Sequence, residues 1–264
     1  MQISGTTALI TGATGGIGQA IARALHARGA SLILTGRRAD VLEPLASELG
    51  ARAIAADLSQ RADVEHLAAD AGEGVDILIA NAALPGSGLL DSYSVEQIDR
   101  ALDVNLRAPI VLAHALLPAM LARGRGHLLF MGSLQSKAPT PGAAMYNASK
   151  FGLRGFATAL RGDLRTSGVG VSIVYPGFIR DAGLFADTGV KLPPGVGTRS
   201  PEDVARATLD AIERNRGEVD VAPLPLRVGS IFAGLAPGFA GSVQRRMGSE
   251  RITREATVAQ REKR

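Results

Sequence analysis

An apolar run, Thr7 to Thr11, passes without a break into the glycine-rich turn Gly12-Ala-Thr-Gly-Gly-Ile-Gly18 and then into a helical pattern. No other feature narrows the fold as much. Glycines let the chain turn tightly, and backbone N–H groups at the start of the following helix then form a cradle for an anion, favoured by the helix dipole. The spacing departs from plain G-x-G-x-x-G, with three residues between Gly12 and Gly16 and one between Gly16 and Gly18. A glycine-rich turn is as often an ordinary loop. Its place inside a strand-turn-helix-strand unit makes it a candidate pyrophosphate site.

Further short apolar runs alternate with helical patterns: Leu32 to Thr35, Ala53 to Ala56, Ile77 to Ala80, His127 to Met131, Val171 to Tyr175 and Val219 to Val221. Such alternation predicts an α/β fold, a Rossmann-like doubly wound parallel sheet in three layers forming one domain, with ligands at the carboxyl ends of the strands. The expected organisation is a dinucleotide-binding catalytic domain over 1–222 and a C-terminal extension with a basic tail over 223–264. The Gly- and Pro-containing segment 182–200 is too long and irregular for a simple connector and is expected to be a lid. A hydrophobic content of 46% provides for a large core. No apolar run reaches the ~18 residues of a membrane span, and Met1 to Thr7 shows no signal-peptide pattern. With no cysteine there is no disulfide framework and no thiolate nucleophile, so any redox chemistry belongs to a bound cofactor.

The segment from Ser133 through Tyr146 to Lys150 brings a hydroxyl, a phenol and an amine into one stretch. Tyr146 and Lys150 stand at i and i+4 of a helical pattern and therefore share a face. A phenol with a free pKa near ~10 is a poor acid-base catalyst at neutral pH, and a neighbouring cation is expected to lower it. Taken alone, Tyr-x-x-x-Lys also describes an exposed helix face.

Together these motifs resemble the short-chain dehydrogenase/reductase family, over most of Thr6 to Asp220. Thr11-Gly-Ala-Thr-Gly-Gly-Ile-Gly18 looks like its cofactor loop, Ala80-Asn-Ala-Ala83 like its Asn-Ala motif, and Pro176-Gly177 like the turn beside the nicotinamide. Asn105 in DVNLRAP, Ser133, Tyr146 and Lys150 look like its catalytic set. The resemblance implies cofactor contacts from Gly12, Thr14, Gly15, Gly16, Ile17 and Gly18 on the phosphates, Asp57 and Leu58 on adenine, Asn81 and Ala82 beside the ribose, and Pro176, Gly177 and Ile179 at the nicotinamide. It also implies that Ser133 bonds the substrate oxygen, Tyr146 moves its proton, Lys150 stabilises the phenolate and binds the nicotinamide ribose, and Asn105 holds a water. As plain residues, Asn105 reads equally as a capping or packing amide and Ser133 as a strand-end hydroxyl.

Cofactor choice follows from Leu34-Thr-Gly-Arg-Arg38, at the end of the second strand. An NAD site puts an acid there for the ribose 2′-OH, whereas a 2′-phosphate needs cations. Two arginines and no acid predict NADP(H), with NAD(H) as the alternative. Arg37 is assigned to the phosphate, while Arg38 points to solvent or stacks on adenine. A solvated loop is the competing reading of both. Where the family pattern has a threonine after Pro176-Gly177, this chain has Phe178-Ile-Arg-Asp181. Asp181 is placed to accept from the carboxamide, to repel a phosphate or to pair with Arg180.

The four histidines show no metal-ligand spacing, and His26, His66 and His114 read as structural. Residues 245–264 carry seven basic and three acidic residues, a balance of +4 that equals the whole chain's net charge. The rest is near neutral, so nucleic acid is not an expected partner. Leu224 to Met247 is apolar with few charges, and reads as a pocket cover, an oligomer contact or a membrane-surface contact. The leading function is an NADP(H)-dependent oxidoreductase interconverting a secondary alcohol and a ketone, cytoplasmic, a homodimer or homotetramer. Leu184, Phe185, Val190 and Leu192 in the lid favour a hydrophobic substrate. The alternative is a dinucleotide-binding regulatory protein with little turnover.

Overall fold

The computed structural model describes residues 1–190, 192 and 196–235. Seven strands, β1 (Thr7–Thr11), β2 (Ser31–Gly36), β3 (Arg52–Ala55), β4 (Ile77–Ala80), β5 (Gly126–Met131), β6 (Val169–Pro176) and β7 (Glu218–Val221), form one parallel sheet in the order β3-β2-β1-β4-β5-β6-β7. The central strands β4, β5 and β6 are buried along their whole length, which is why they read as continuous apolar runs rather than alternating ones. Each predicted strand core is present, with ends displaced by at most two residues. The largest difference is at β6, which begins at Val169 because Val169 is in register with Gly126; β3 begins one residue early, at Arg52, which is in register with Ile33, and hydropathy reveals neither pairing.

Successive residues of each strand serve opposite layers. Ile10, Ile79, Leu129 and Val174 pack under α1 (Gly16–His26), α2 (Ala39–Leu49) and α7 (Pro201–Glu213), through Ile21, Leu42 and Leu209. Leu9, Leu78, Leu128 and Ile173 pack under α3 (Arg61–Ala71), α5 (Ala108–Arg123) and α6 (Ala144–Asp163), through Leu67, Leu112 and Leu153. This period of two is what a sheet covered on both faces requires.

The strand order reverses between β1 and β4, and their carboxyl ends open the crevice where such sheets bind ligands. Beyond it, α4 (Val95–Leu102), a π turn (Asp103–Arg107) and α5 run on as one helix of 29 residues. Arg107 and His114 break its longest uninterrupted apolar run, which is why the sequence predicts no span here, yet the stretch is long and apolar enough for one by length and composition. Its length serves the core, since Leu112, Ala113 and Leu116 are buried against the sheet.

After β6 the chain forms the expected irregular segment, whose described part is tied at its base by Arg180 N–H to Arg199 O (2.9 Å) and Arg199 N–H to Phe178 O (3.0 Å). The Phe185 ring stands on Phe178 with centroids 4.7 Å apart. Beyond 222 the chain continues as α8 (Leu224–Leu235), which closes one end of the crevice; the basic tail lies outside the described residues.

Candidate active site

The glycine-rich turn is built by steric necessity. Gly12 has φ +65°, and a Cβ there would lie 2.8 Å from Ala82 Cα; a Cβ on Gly18 would lie 2.3 Å from Gly12 O. Both neighbours are backbone and cannot yield, so these positions admit only glycine. Asn81 reinforces the turn by donating from Nδ2 to Thr11 O (3.0 Å) and Gly12 O (3.3 Å). The Thr11 hydroxyl accepts from Asn81 N–H and Ala82 N–H, each at 3.0 Å, locking β1 to β4 across the switch point.

This turn opens a cleft of about 1670 Å³, larger than the roughly 300–1,000 Å³ of a usual ligand pocket. Along one end run Gly12, Thr14, Gly15, Gly16, Ile17 and Gly18, then Arg37, Arg38, Asp57 and Leu58, then Asn81 and Ala82. Ser133, Tyr146, Lys150, Pro176, Gly177 and Ile179 line the middle. Every predicted cofactor residue therefore faces one space. A tight glycine cradle at a helix N-terminus fits the pyrophosphate of a nicotinamide dinucleotide.

Arg37 and Arg38 immediately precede α2 and are exposed, with no acid between them and the strand. Arg38 reaches back to Thr14 O (2.7 Å), tying the end of β2 to the glycine turn rather than pointing to open solvent. Asp57 is held between opposing influences. Burial pushes its carboxyl up, but hydrogen bonds from Ser59 N–H (3.0 Å) and Ser59 Oγ (2.9 Å), with the charges of Arg37 and Arg100, bring it below the ordinary range.

α6 begins where Ala143 leaves the preceding loop, and it presents Tyr146 and Lys150 on one face. Lys150 is 1% exposed; its ammonium lies 5.6 Å from the centre of the Tyr146 ring and donates to Met131 O (2.8 Å). Burial depresses it to about 8. The expected lowering of the phenol is not met in this state. Burial pushes Tyr146 up to about 12, with the hydrogen bond from Ser133 pulling the other way. Burial penalises both charged forms more than their proximity relieves.

Ser133 follows β5, where its hydroxyl accepts from Gln135 N–H (3.2 Å) and caps the 3-10 turn Leu134–Ser136. Asn105 sits in the π turn, 1% exposed, behind the cleft rather than in its lining. Its amide grips Leu84 at both ends, accepting from Leu84 N–H (2.6 Å) and donating to Leu84 O (2.9 Å), and also reaches Ser149 Oγ (3.5 Å). Those bonds fix the segment after β4 against α6. Asp181 adopts φ +67° and pairs with Arg180 (3.2 Å), one of the arrangements expected for it. Leu184, Phe185 and Leu192 line the cleft, and Val190 does not.

Sequence reasoning did not single out several contributors. Asp63 accepts from Asp57 N–H (2.8 Å), and Arg100 adds charge from α4. Gly86 lets its strand-end segment pass the helix start, for a Cβ there would lie 2.7 Å from Tyr146 N. Leu226, Gly229 and Ala233 of α8 close the substrate end. Only the glycine was visible as a signal, and its partner was not.

The family model for short chain dehydrogenase matches residues 6–189. The ketoacyl reductase HetN of Nostoc is 34% identical over 232 residues, 85% of this chain and 81% of that protein. Among solved structures, a short-chain dehydrogenase from Sphingobium yanoikuyae in complex with NADPH superposes with TM-score 0.77 at 28% identity, over 90% of this chain and 95% of that one. A 3-ketoacyl-(acyl-carrier-protein) reductase from Brucella melitensis complexed with NADH gives TM-score 0.73 at 27% identity, over 83% and 97%. The chain belongs to the short-chain dehydrogenase/reductase family. It is an NAD(P)-dependent oxidoreductase acting on CH–OH or carbonyl groups.

Proposed function

We propose that the protein is an NADP(H)-dependent carbonyl reductase or alcohol dehydrogenase for a hydrophobic secondary alcohol and its ketone. The observation that carries this reading is the convergence of Ser133, Tyr146 and Lys150 on one cleft whose far end holds Arg37 and Arg38. Bound nicotinamide supplies or accepts the hydride and, when oxidised, adds a positive charge to the site. Ser133 and Tyr146 hold the substrate oxygen between two hydroxyl donors. Tyr146, kept protonated by burial at neutral pH, delivers its proton to the oxygen of a ketone and recovers it from an alcohol. Lys150 lies against the phenol and, released from Met131 O, is the donor for a ribose hydroxyl. Asn105 positions the wall formed by Leu84. Arg37 and Arg38, at the amino end of α2, take the 2′-phosphate.

The substrate class is supported by the apolar walls, Leu184 and Phe185 from the lid and Leu226 and Ala233 from α8. Placement in the cytoplasm, with its dinucleotide pool, and assembly as a homodimer or homotetramer belong to the same proposal. A panel of aliphatic and aromatic ketones and alcohols, followed by nicotinamide absorbance with both cofactors, tests it. Turnover of apolar ketones with NADPH in preference to NADH is expected. Cofactor binding without turnover of any carbonyl would favour the regulatory alternative.

A further inference from the structure

We propose that the outward face of α8 docks the protein on an anionic lipid bilayer. Leu224, Val228, Ile231 and Leu235 are 67%, 57%, 54% and 81% exposed. Their spacing of four, three and four residues puts them on one stripe of the helix. The opposite face is occupied, with Leu226, Gly229 and Ala233 lining the cleft, so the stripe faces away from the site. A contiguous exposed apolar stripe of this kind marks an interaction surface.

Charge identifies the occupant. The helix carries one ionisable residue, Arg227, which lies 3.8 Å from Asp220 Oδ2 and so belongs to the protein side. The twenty residues that end the chain hold its entire net positive charge of +4. An apolar stripe succeeded in sequence by a cationic segment is complementary to a surface with an apolar interior and anionic headgroups. A second protein copy would present the same cationic segment and repel it. Docking there sets the α8 end of the cleft toward the bilayer, and it is independent of which carbonyl the enzyme reduces.

The test is co-sedimentation of the full chain with phosphatidylcholine vesicles and with vesicles mixed with phosphatidylglycerol. Binding to the mixed vesicles, weakening as salt rises, is expected. Val228→Glu/Ile231→Glu, whose residues do not line the cleft, is expected to weaken it roughly tenfold or more while keeping the wild-type circular dichroism and melting temperature. Replacing Arg245, Arg246, Arg251 and Arg254 by Gln removes the preference for the anionic vesicles. No sedimentation with mixed vesicles at low salt overturns the proposal, as does equal binding by the double variant. So does an oligomer in light scattering that the double variant dissociates, since a second copy then covers the stripe.

Discussion

Replacing Lys150 by Met separates what this residue costs the fold from what it does for the reaction. In the cofactor-free protein the ammonium is 1% exposed, and burial depresses it from 10.5 to about 8. That difference corresponds to about 3 kcal/mol of cost on the charged form. At pH 7 both folded and unfolded chains carry the proton, so the folded state bears the full cost. Between about pH 8 and 10.5 the folded chain releases its proton while the unfolded chain retains it, and the cost fades; above 10.5 it is gone. Methionine fills a similar volume without charge. The variant loses the hydrogen bond to Met131 O, worth ~1 kcal/mol at any pH. It is therefore expected to be about 2 kcal/mol more stable than wild type at pH 7, some 4–8 °C in Tm, and to lose that advantage by about pH 10.5. Urea titration of the two cofactor-free proteins, followed by circular dichroism at several pH values, measures the difference directly. A gap that stays constant with pH would refute the burial argument, and so would a variant less stable at pH 7.

Three further outcomes follow from the site. Tyr146→Phe is expected to lose ~10²–10⁴-fold in turnover with cofactor affinity nearly unchanged, as steady-state rates and NADPH titration report; near wild-type turnover removes Tyr146 from proton transfer. Arg37→Asp is expected to reverse the cofactor preference by about ten- to a hundredfold, because it removes a charge-assisted contact and adds repulsion, and the wild-type preference is expected to shrink with salt; an unaltered ratio of affinities makes the arginine pair a solvated loop. A Cβ on Gly16 would lie 2.3 Å from Ala182 Cβ, so Gly16→Ala is expected to weaken cofactor binding and Ala182→Gly to restore much of it in the double variant; strictly additive losses in calorimetry would show that the lid does not rest on the turn.

The strands were legible because buried parallel strands are apolar throughout, as in Ile77-Leu-Ile-Ala80, and the glycine turn because its steric demand falls on single positions. Tyr146 and Lys150 were legible because helical spacing is a local property. The protonation of that pair was not, since charge proximity can be read from spacing and burial cannot. Nor was the charge that Arg100 brings to Asp57 readable, because it comes from α4 through tertiary packing. The same limit hides the cluster behind the Ser133 loop, where Lys137 Nζ meets Asp220 Oδ1 at 2.8 Å across 83 residues of sequence. Lys137 also lies 4.1 Å from the centre of the Tyr175 ring.

That cluster bears on how the donor pair is aimed. Tyr175 packs so closely on Gly132 that a Cβ there would lie 2.8 Å from its ring, and Gly132 N–H donates to Val174 O (2.8 Å). The residue before Ser133 is thus fixed by β6. The residues after it are fixed by Ser136 Oγ, which accepts from Ser133 N–H (3.1 Å), and by Gln135 N–H, which donates to Ser133 Oγ (3.2 Å). Gln135 N–H takes one acceptor position on that hydroxyl, and the hydrogen bond from Ser133 pulls the Tyr146 phenol down against burial. On the proposed mechanism, a carbonyl oxygen entering the cleft receives that same donor together with the phenol. A Ser133 donor held by backbone capping and a Tyr146 donor buried on α6 need little reorganisation as negative charge develops on the oxygen, and in the proposed mechanism this fixed geometry is the protein's own contribution to lowering the barrier.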